Sequence, residues 1–300
     1  MKKLLTLLDV TSNELIQILN RADCLEKLWK DNKMPLILKD KQVGLWFYGQ
    51  GFRNRVAFEV GARAMGASVS YIPGELGVHE PIEDIGHYLD KWFSVLVIRA
   101  KNHNDLLKLS QTTESSVINA RTNFNHPCEI IGDLQFIRKY RGGLDDLSLV
   151  FVGHTDNVIM SWFEAAVRLP ISVTQVAPAG YGINPEKLKE LNENAIGEIK
   201  VSYELEPLLE KADILYTDCW PGATNDEEAT SIKDAFLPYQ ITTKHLSVLH
   251  SKAMFLPCPP VTRGQEVSHE AMLSDFCKNH QAKGYLLHGQ NAVLEFITAE

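Results

Sequence analysis

Short runs rich in aliphatic and β-branched residues alternate with stretches of helical periodicity along the whole chain, and this rhythm restricts the fold more than any other feature. The runs Val43–Tyr48, Ser68–Ile72, Val95–Arg99 and Ser116–Asn119 read as strands, followed by a second set at Leu147–Val152, Ser172–Val176, Ile214–Asp218 and Ala253–Leu256. Helical patterns fall between them at Arg55–Met65, Ile82–Leu89, Cys128–Lys139, Val158–Arg168 and Pro185–Asn192. Alternation of this kind belongs to parallel α/β sheets. Four strands precede and four follow the turn "KYRGGLDD", where Arg141-Gly142-Gly143 makes a good junction. The expectation is two open parallel-sheet α/β domains, over residues 1–140 and 141–284, which suits a chain of 300 residues. The last helix, Tyr285–Ala299, can pack against either half on pattern alone.

Composition narrows the partners. Apolar residues make up 45%, enough for a real core, and the net charge of −8 argues against general affinity for nucleic acid or an anionic membrane. The N-terminal apolar run, Leu4–Val10, contains Asp9 and is followed by no small-residue cleavage site, so no signal peptide is expected. Thr11 or Ser12 reads instead as a helix cap, with Glu14 entering the helix. No stretch approaches 18 apolar residues. The cysteines (Cys24, Cys128, Cys219, Cys258, Cys277) are odd in number and scattered, which fits a reducing, cytoplasmic setting without a disulfide framework.

In open α/β sheets ligands gather at the carboxyl ends of strands, so the residues just after each strand carry the most information. After the first strand comes Gly49-x-Gly51-x-x-Asn54, one glycine short of a dinucleotide loop. The acidic residue that such a loop needs could only be Glu75, past Pro73-Gly74. Arg53 and Arg55 beside a helix N-terminus instead make a trap for a lone phosphate or acyl phosphate. Arg99 ends the third strand, and His126-Pro127 opens a helix after the fourth. Taken singly, Arg99 reads as solvated and His126 as a cap or core histidine. In the second half "FVGHTDNVIMS", "ILYTDCWPGAT" and "MFLPCPPVTRGQEV" place polar groups after further strands.

The order of these motifs resembles the aspartate/ornithine carbamoyltransferase family, nearer its ornithine branch. Arg53 with Arg55-Val56-x-Phe58-Glu59 resembles the S-T-R-T-R-x-S-F-E phosphate loop. "VIRA" resembles the segment ending in a carbamoyl-contacting arginine, here Arg99. "NFNHPCEIIGDL" resembles H-P-x-Q-x-L-x-D-L, giving His126. "VGHTDNVIMS" resembles G-D-x-N-N-V-x-x-S, giving Asn157. "ADILYTDCW" resembles D-V-x-Y-T-D-x-W, giving Asp218, and "PCPPVTRGQEV" resembles H-C-L-P-x-x-R-G-x-E-V, giving Cys258, Pro260 and Arg263.

The resemblance implies a carbamoyl-phosphate domain, against which the C-terminal helix 285–300 is expected to pack, followed by an acceptor domain. It also implies transfer of a carbamoyl group to an amine without metal or organic cofactor, and a homotrimer with sites between subunits, a neighbour reaching in near His79-Glu80-Pro81. Arg99, His126 and Cys258 take the catalytic positions. Gly51, Phe52, Arg53, Asn54, Glu129 and Arg263 join Arg99 and His126 on the donor. Asn157, Asp218, Gly222 and Pro259 join Cys258 on the acceptor.

Departures from the pattern cluster at these same places. Gly51 and Phe52 replace the serine and threonine of the phosphate loop, Asn54 its second threonine, and Glu129 the glutamine after His-Pro. Gly222-Ala223-Thr224 stands for Ser-Met-Gly, and Pro257 and Pro259 flank Cys258 in place of histidine and leucine. Each lost hydrogen bond to a charged acceptor weakens phosphate binding by roughly 1.5–3 kcal/mol. Glu129 alone also reads as an exposed first-turn carboxylate; at the donor it would accept from the carbamoyl NH₂ while opposing phosphate. Three functions remain open: a carbamoyltransferase whose acceptor is not ordinary ornithine, a silent paralogue serving as a regulatory partner, and a transferase using another acyl phosphate. The reading rests on Arg53, Arg99 and His126 forming a pocket for a small doubly charged leaving group; side chains aimed in different directions, or an acidic side chain plugging the space among them, would end it.

Overall fold

A computed structural model describes residues 2–49 and 51–299. In chain order the elements are β1 (Lys3–Leu4), α1 (Ser12–Lys30), β2 (Gln42–Phe47), α2 (Phe52–Ala64), β3 (Ser68–Pro73), α3 (Ile82–Leu89), β4 (Val95–Arg99), α4 (His103–Thr112), β5 (Ser116–Arg121) and α5 (Pro127–Arg141). They continue with β6 (Leu147–Val152), α6 (Asn157–Arg168), β7 (Ile171–Val176), α7 (Pro185–Glu193), β8 (Glu198–Ser202), α8 (Glu206–Leu209), β9 (Ile214–Thr217), α9 (Asp226–Phe236) and α10 (Thr243–Val248). The last are β10 (Met254–Pro257), α11 (His269–Met272), α12 (Asn279–Gly284) and α13 (Leu286–Thr298). The chain forms two compact units. One comprises residues up to Lys139, Asp156–Ser161 and residues from Lys283 on; the other comprises Tyr140–Thr155 and Trp162–Ala282.

Each unit is built on a five-stranded, wholly parallel sheet, with strand orders β1-β5-β4-β2-β3 and β10-β9-β6-β7-β8. The strand pattern predicts four apiece, and the two added strands lie at sheet edges. β1 spans two residues, too few to show a period. In β8, Glu198 and Lys200 pair with each other at 2.6 Å in water, so the run carries too much charge to read as a buried strand. The central strands behave as parallel strands covered on both faces do: Val95, Leu96, Val97 and Ile98 of β4 are fully buried, as are Val43 and Leu45 of β2.

In the first unit, α1 begins with the capping box foreseen at Thr11. The Thr11 hydroxyl accepts from the Glu14 amide at 3.2 Å, and Glu14 accepts from the Thr11 amide at 2.8 Å. α13 packs against α1 and α2. The approach to α2 is close enough that a Cβ on Gly61 would lie 1.8 Å from Asn291 Oδ1. Near the other end of α2, where the candidate site begins, Gln290 of α13 reaches Asn54.

Candidate active site

The turn after β2 gives way to α2 at Phe52, three residues before the helical pattern becomes visible in the sequence. Arg53 and Asn54 therefore belong to the first turn, whose amides have no partner within the helix. Gly51 precedes them without any side-chain cap. A Cβ placed on Gly51 would lie 2.8 Å from both Cζ and Nη1 of Arg99, so the Arg99 guanidinium occupies the space a side chain there would need. Burial lowers the pKa of Arg99 to about 10, helped by Arg121 and opposed by Glu129, and leaves it cationic at neutral pH. Its Nε is buried without a hydrogen-bond partner among the described residues.

Arg53 is half-buried, its guanidinium stacked 4.8 Å above the ring of Phe52, which is itself exposed. Arg55, read with Arg53 as an anion ligand, is otherwise engaged. It pairs with Glu59 at 3.1 Å and lies over the Tyr71 ring. The reason is helical spacing: Arg55 and Glu59 are one turn apart on the face that meets β3.

Asn54 connects α2 to His126. Gln290 of α13 donates to Asn54 Oδ1 at 2.5 Å, which leaves the Asn54 amide nitrogen as donor to His126 Nε2, 3.1 Å away. With Nε2 accepting, the ring proton resides on Nδ1, and that atom is buried with no partner among the described residues. Burial, reinforced by Arg121, Arg99 and Lys283 and opposed by Glu129, drives the His126 pKa down to about 3. His126 is thus a neutral imidazole with an unspent N–H. Its backbone is fixed by donation to Ser161 Oγ at 2.7 Å.

Glu129 lies on α5, one turn from His126. It is only 6% exposed, contrary to the solvated first-turn carboxylate its position suggests. Lys283 explains the burial, binding Glu129 Oε1 at 2.6 Å and both oxygens of Asp133 at 2.9 Å. Burial opposes ionisation of Glu129, and the Lys283 ammonium outweighs it, so the carboxyl titrates below its usual range. Glu129 Oε2 stands 3.7 Å from His126 Nε2. An acidic group does enter the cluster, then, but its nearest cation is Lys283, and among the described residues Arg53 and Arg99 have no carboxylate within ion-pair distance.

Asn157, at the start of α6, donates to the Thr122 carbonyl at 2.5 Å, just beyond β5. Gly51, Arg53, Asn54, Arg99, His126 and Glu129 are thereby assembled at the mouth of the first sheet, with Phe52 at the rim. Sequence inspection missed three contributors. Arg121 ends β5 in register with Arg99 of β4, and its place after a strand was the available signal. Gln290 and Lys283 come from the far end of the chain, and no local pattern marks them.

In the second unit, Asp218 follows β9, buried, and accepts from the Cys219 amide at 2.8 Å. The Cys258 amide donates to the Thr217 carbonyl at 2.7 Å, which sets buried Cys258 beside Asp218 at the ends of β10 and β9. Pro259 follows in a cis Pro259-Pro260 pair. Gly222 is exposed, with nothing within 4 Å of where a Cβ would be. Arg263, assigned to the donor by resemblance, is exposed on this unit and meets His269 Nδ1 at 3.0 Å.

A family profile described as aspartate/ornithine carbamoyltransferase, carbamoyl-P binding domain, matches residues 2–139, and its partner, the Asp/Orn binding domain, matches 145–297. The chain belongs to the aspartate/ornithine carbamoyltransferase family. Among its relatives, the ornithine carbamoyltransferase of Methanosphaera stadtmanae is 33% identical, covering 100% of both chains. That of Methanothermobacter thermautotrophicus is 31% identical, again over 100% of both. The solved ornithine carbamoyltransferase from Pyrococcus furiosus superposes with a TM-score of 0.93 at 28% identity, covering 98% of this chain and 96% of that one. Both sheets and the order of their motifs are therefore those of carbamoyltransferases. The substitutions lie at the strand mouths within this shared frame.

Proposed function

We propose that the mouth of the first sheet binds carbamoyl phosphate, and that the chain transfers its carbamoyl group to the amine of an amino-acid-like acceptor. The observation that carries this reading is the pairing of a neutral His126, its Nδ1–H unspent, with a cationic Arg99 beside the open amides of α2. A helix N-terminus and Arg53 suit the phosphate. An N–H and a guanidinium suit a carbonyl oxygen that gains negative charge as the amine attacks.

In that step the amine nitrogen bonds to the carbonyl carbon and the C=O electron pair moves onto oxygen. The tetrahedral species then collapses, the C–O bond to phosphate breaks, and phosphate departs with both electrons. The proton lost by the amine passes to phosphate or water. With a pKa near 3, His126 acts as a hydrogen-bond donor and not as the proton carrier. Glu129 Oε2 suits the carbamoyl NH₂.

On the second unit, buried Asp218 suits an ammonium group of the acceptor, with Cys258 beside it; on the first unit, Asn157 is assigned to the acceptor as well. Gly222 and Pro257 stand where the ornithine pattern has serine and histidine, and on this ground the acceptor is an amino acid other than ordinary ornithine. A homotrimer completing each site near His79-Glu80-Pro81 belongs to the same reading. The test is incubation with carbamoyl phosphate and a panel of amines and amino acids, read by mass spectrometry. Ureido product with a preferred amino acid supports it. Tight carbamoyl phosphate binding without product from any amine leaves a silent binding subunit, and product only from another acyl phosphate reassigns the donor.

A further inference from the structure

The mouth of the first sheet holds more positive charge than a phosphate requires. From β2 outward the sheet runs β2-β4-β5; β2 leads through a turn to Gly51 and Arg53 at the start of α2, while β4 and β5 end in Arg99 and Arg121. Arg99 and Arg121 are register partners, brought level by an irregularity at Ile98/Arg99. The α2 amides, Arg53 and Arg99 already match the two charges of a phosphate. Arg121 is a third guanidinium, half-buried, and among the described residues its side chain has no hydrogen bond or ion pair. Its charge acts on both Arg99 and His126. Like charges held together out of bulk water destabilise a fold unless an anion joins them.

Position decides which anion. β5 lies two strands from β2, about 10 Å at the usual strand spacing. Arg121 therefore stands at the opposite end of the row from the helix terminus that suits phosphate. Its neighbour in sequence, Thr122, accepts through its carbonyl the hydrogen bond of Asn157, the first-unit residue assigned to the acceptor. His126 is hydrogen-bonded to Asn54 at the helix end of the row and also feels the Arg121 charge.

We infer that Arg121 receives a carboxylate of the acceptor and is the residue by which this site selects anionic amines over simple ones. The inference rests on the carbamoyl-transfer reading for the word acceptor, but not for the binding itself. The carboxylate is either the α-carboxylate or one on the side chain, and matched pairs tell them apart. Putrescine against L-ornithine isolates the first; L-norvaline against L-glutamate isolates the second. Binding of all four is measured by calorimetry with inorganic phosphate saturating, for the wild type, Arg121→Met and Arg121→Lys, while ureido product is followed separately.

In the wild type the carboxylate-bearing member of at least one pair binds about ten- to a hundredfold more tightly, the range for a hydrogen-bonded charge. Arg121→Met brings that ratio near one, Arg121→Lys restores part of it, and phosphate affinity stays within about twofold. An unchanged ratio in Arg121→Met overturns the inference, as does a wild type that discriminates in neither pair. So does a phosphate affinity that falls tenfold or more while the ratios hold, which would make Arg121 a donor ligand. Should the ratio collapse as expected while no amine yields ureido product, the transfer reading fails and the role of Arg121 in binding stands. A melting temperature for Arg121→Met close to wild type excludes misfolding as the cause.

Discussion

The two strand mouths are built differently. At the first sheet, helices distant in sequence converge on a buried network in which Asn54, Gln290, His126, Glu129 and Lys283 fix one another. At the second, Asp218 and Cys258 are buried on strand ends, while Gly222 stands in open space and Arg263 is exposed beside His269. The contrast teaches that the first mouth is braced by hydrogen bonds and ion pairs between buried side chains, whereas the second leaves part of its rim open. On the proposed reading, the braced side would take the small charged donor and the open side the acceptor.

The strongest test of that contrast removes its keystone. Lys283→Met leaves Glu129 and Asp133 buried without their cation, and a loss of about 3–5 kcal/mol of stability is expected in urea unfolding. Adding Glu129→Gln recovers much of it; if Lys283→Met alone unfolds like the wild type, the network is not what holds this mouth together. Next come Arg99→Ala and His126→Ala, each expected to lower kcat by about 10²–10³-fold, the usual result of deleting one oxyanion donor, in steady-state assays. Gly51→Ser is smaller and opposite to intuition. Although it restores the serine of the family loop, it pushes the Arg99 guanidinium aside, and phosphate affinity by calorimetry should fall about tenfold, or ~1.4 kcal/mol.

The pH dependence sharpens the same picture. The unfolded chain takes up a proton at His126 near pH 6.5, and the folded protein does so only near 3. The contribution of His126 to stability is therefore complete above about pH 6.5 and declines as pH falls from there toward 3. Unfolding measured across that window should lose part of this slope in His126→Gln. Smallest of all, Gly222→Ala on the open side should shift stability by less than about 0.5 kcal/mol, because its Cβ meets nothing.

How much of this could be read from sequence follows from range. Strands such as Val95–Arg99 and Leu147–Val152 show themselves because a parallel strand covered on both faces is an unbroken apolar run. α4 and α9 are not among the patterns read from sequence, although each opens on an asparagine cap, Asn102 and Asn225, which was the available signal. At the site, Arg53, Arg99 and His126 are legible as residues just after strands or opening helices. Arg121 occupies an equivalent place and passed unnoticed because the motif around it directs attention to His126. Lys283, 150 positions from Asp133, is beyond any window, and without it the burial of Glu129 has no explanation.

The return of the last helix to the first sheet has a consequence for synthesis. Gln290, which orients Asn54 and through it the imidazole proton, is translated after nearly everything it organises. Lys283, the counterion of Glu129, is also made late. A ribosome that stops before α12 releases a chain that has all ten strands but neither Gln290 to orient Asn54 nor Lys283 to pair with Glu129. In the order of synthesis, the imidazole is therefore among the last parts of this mouth to be set.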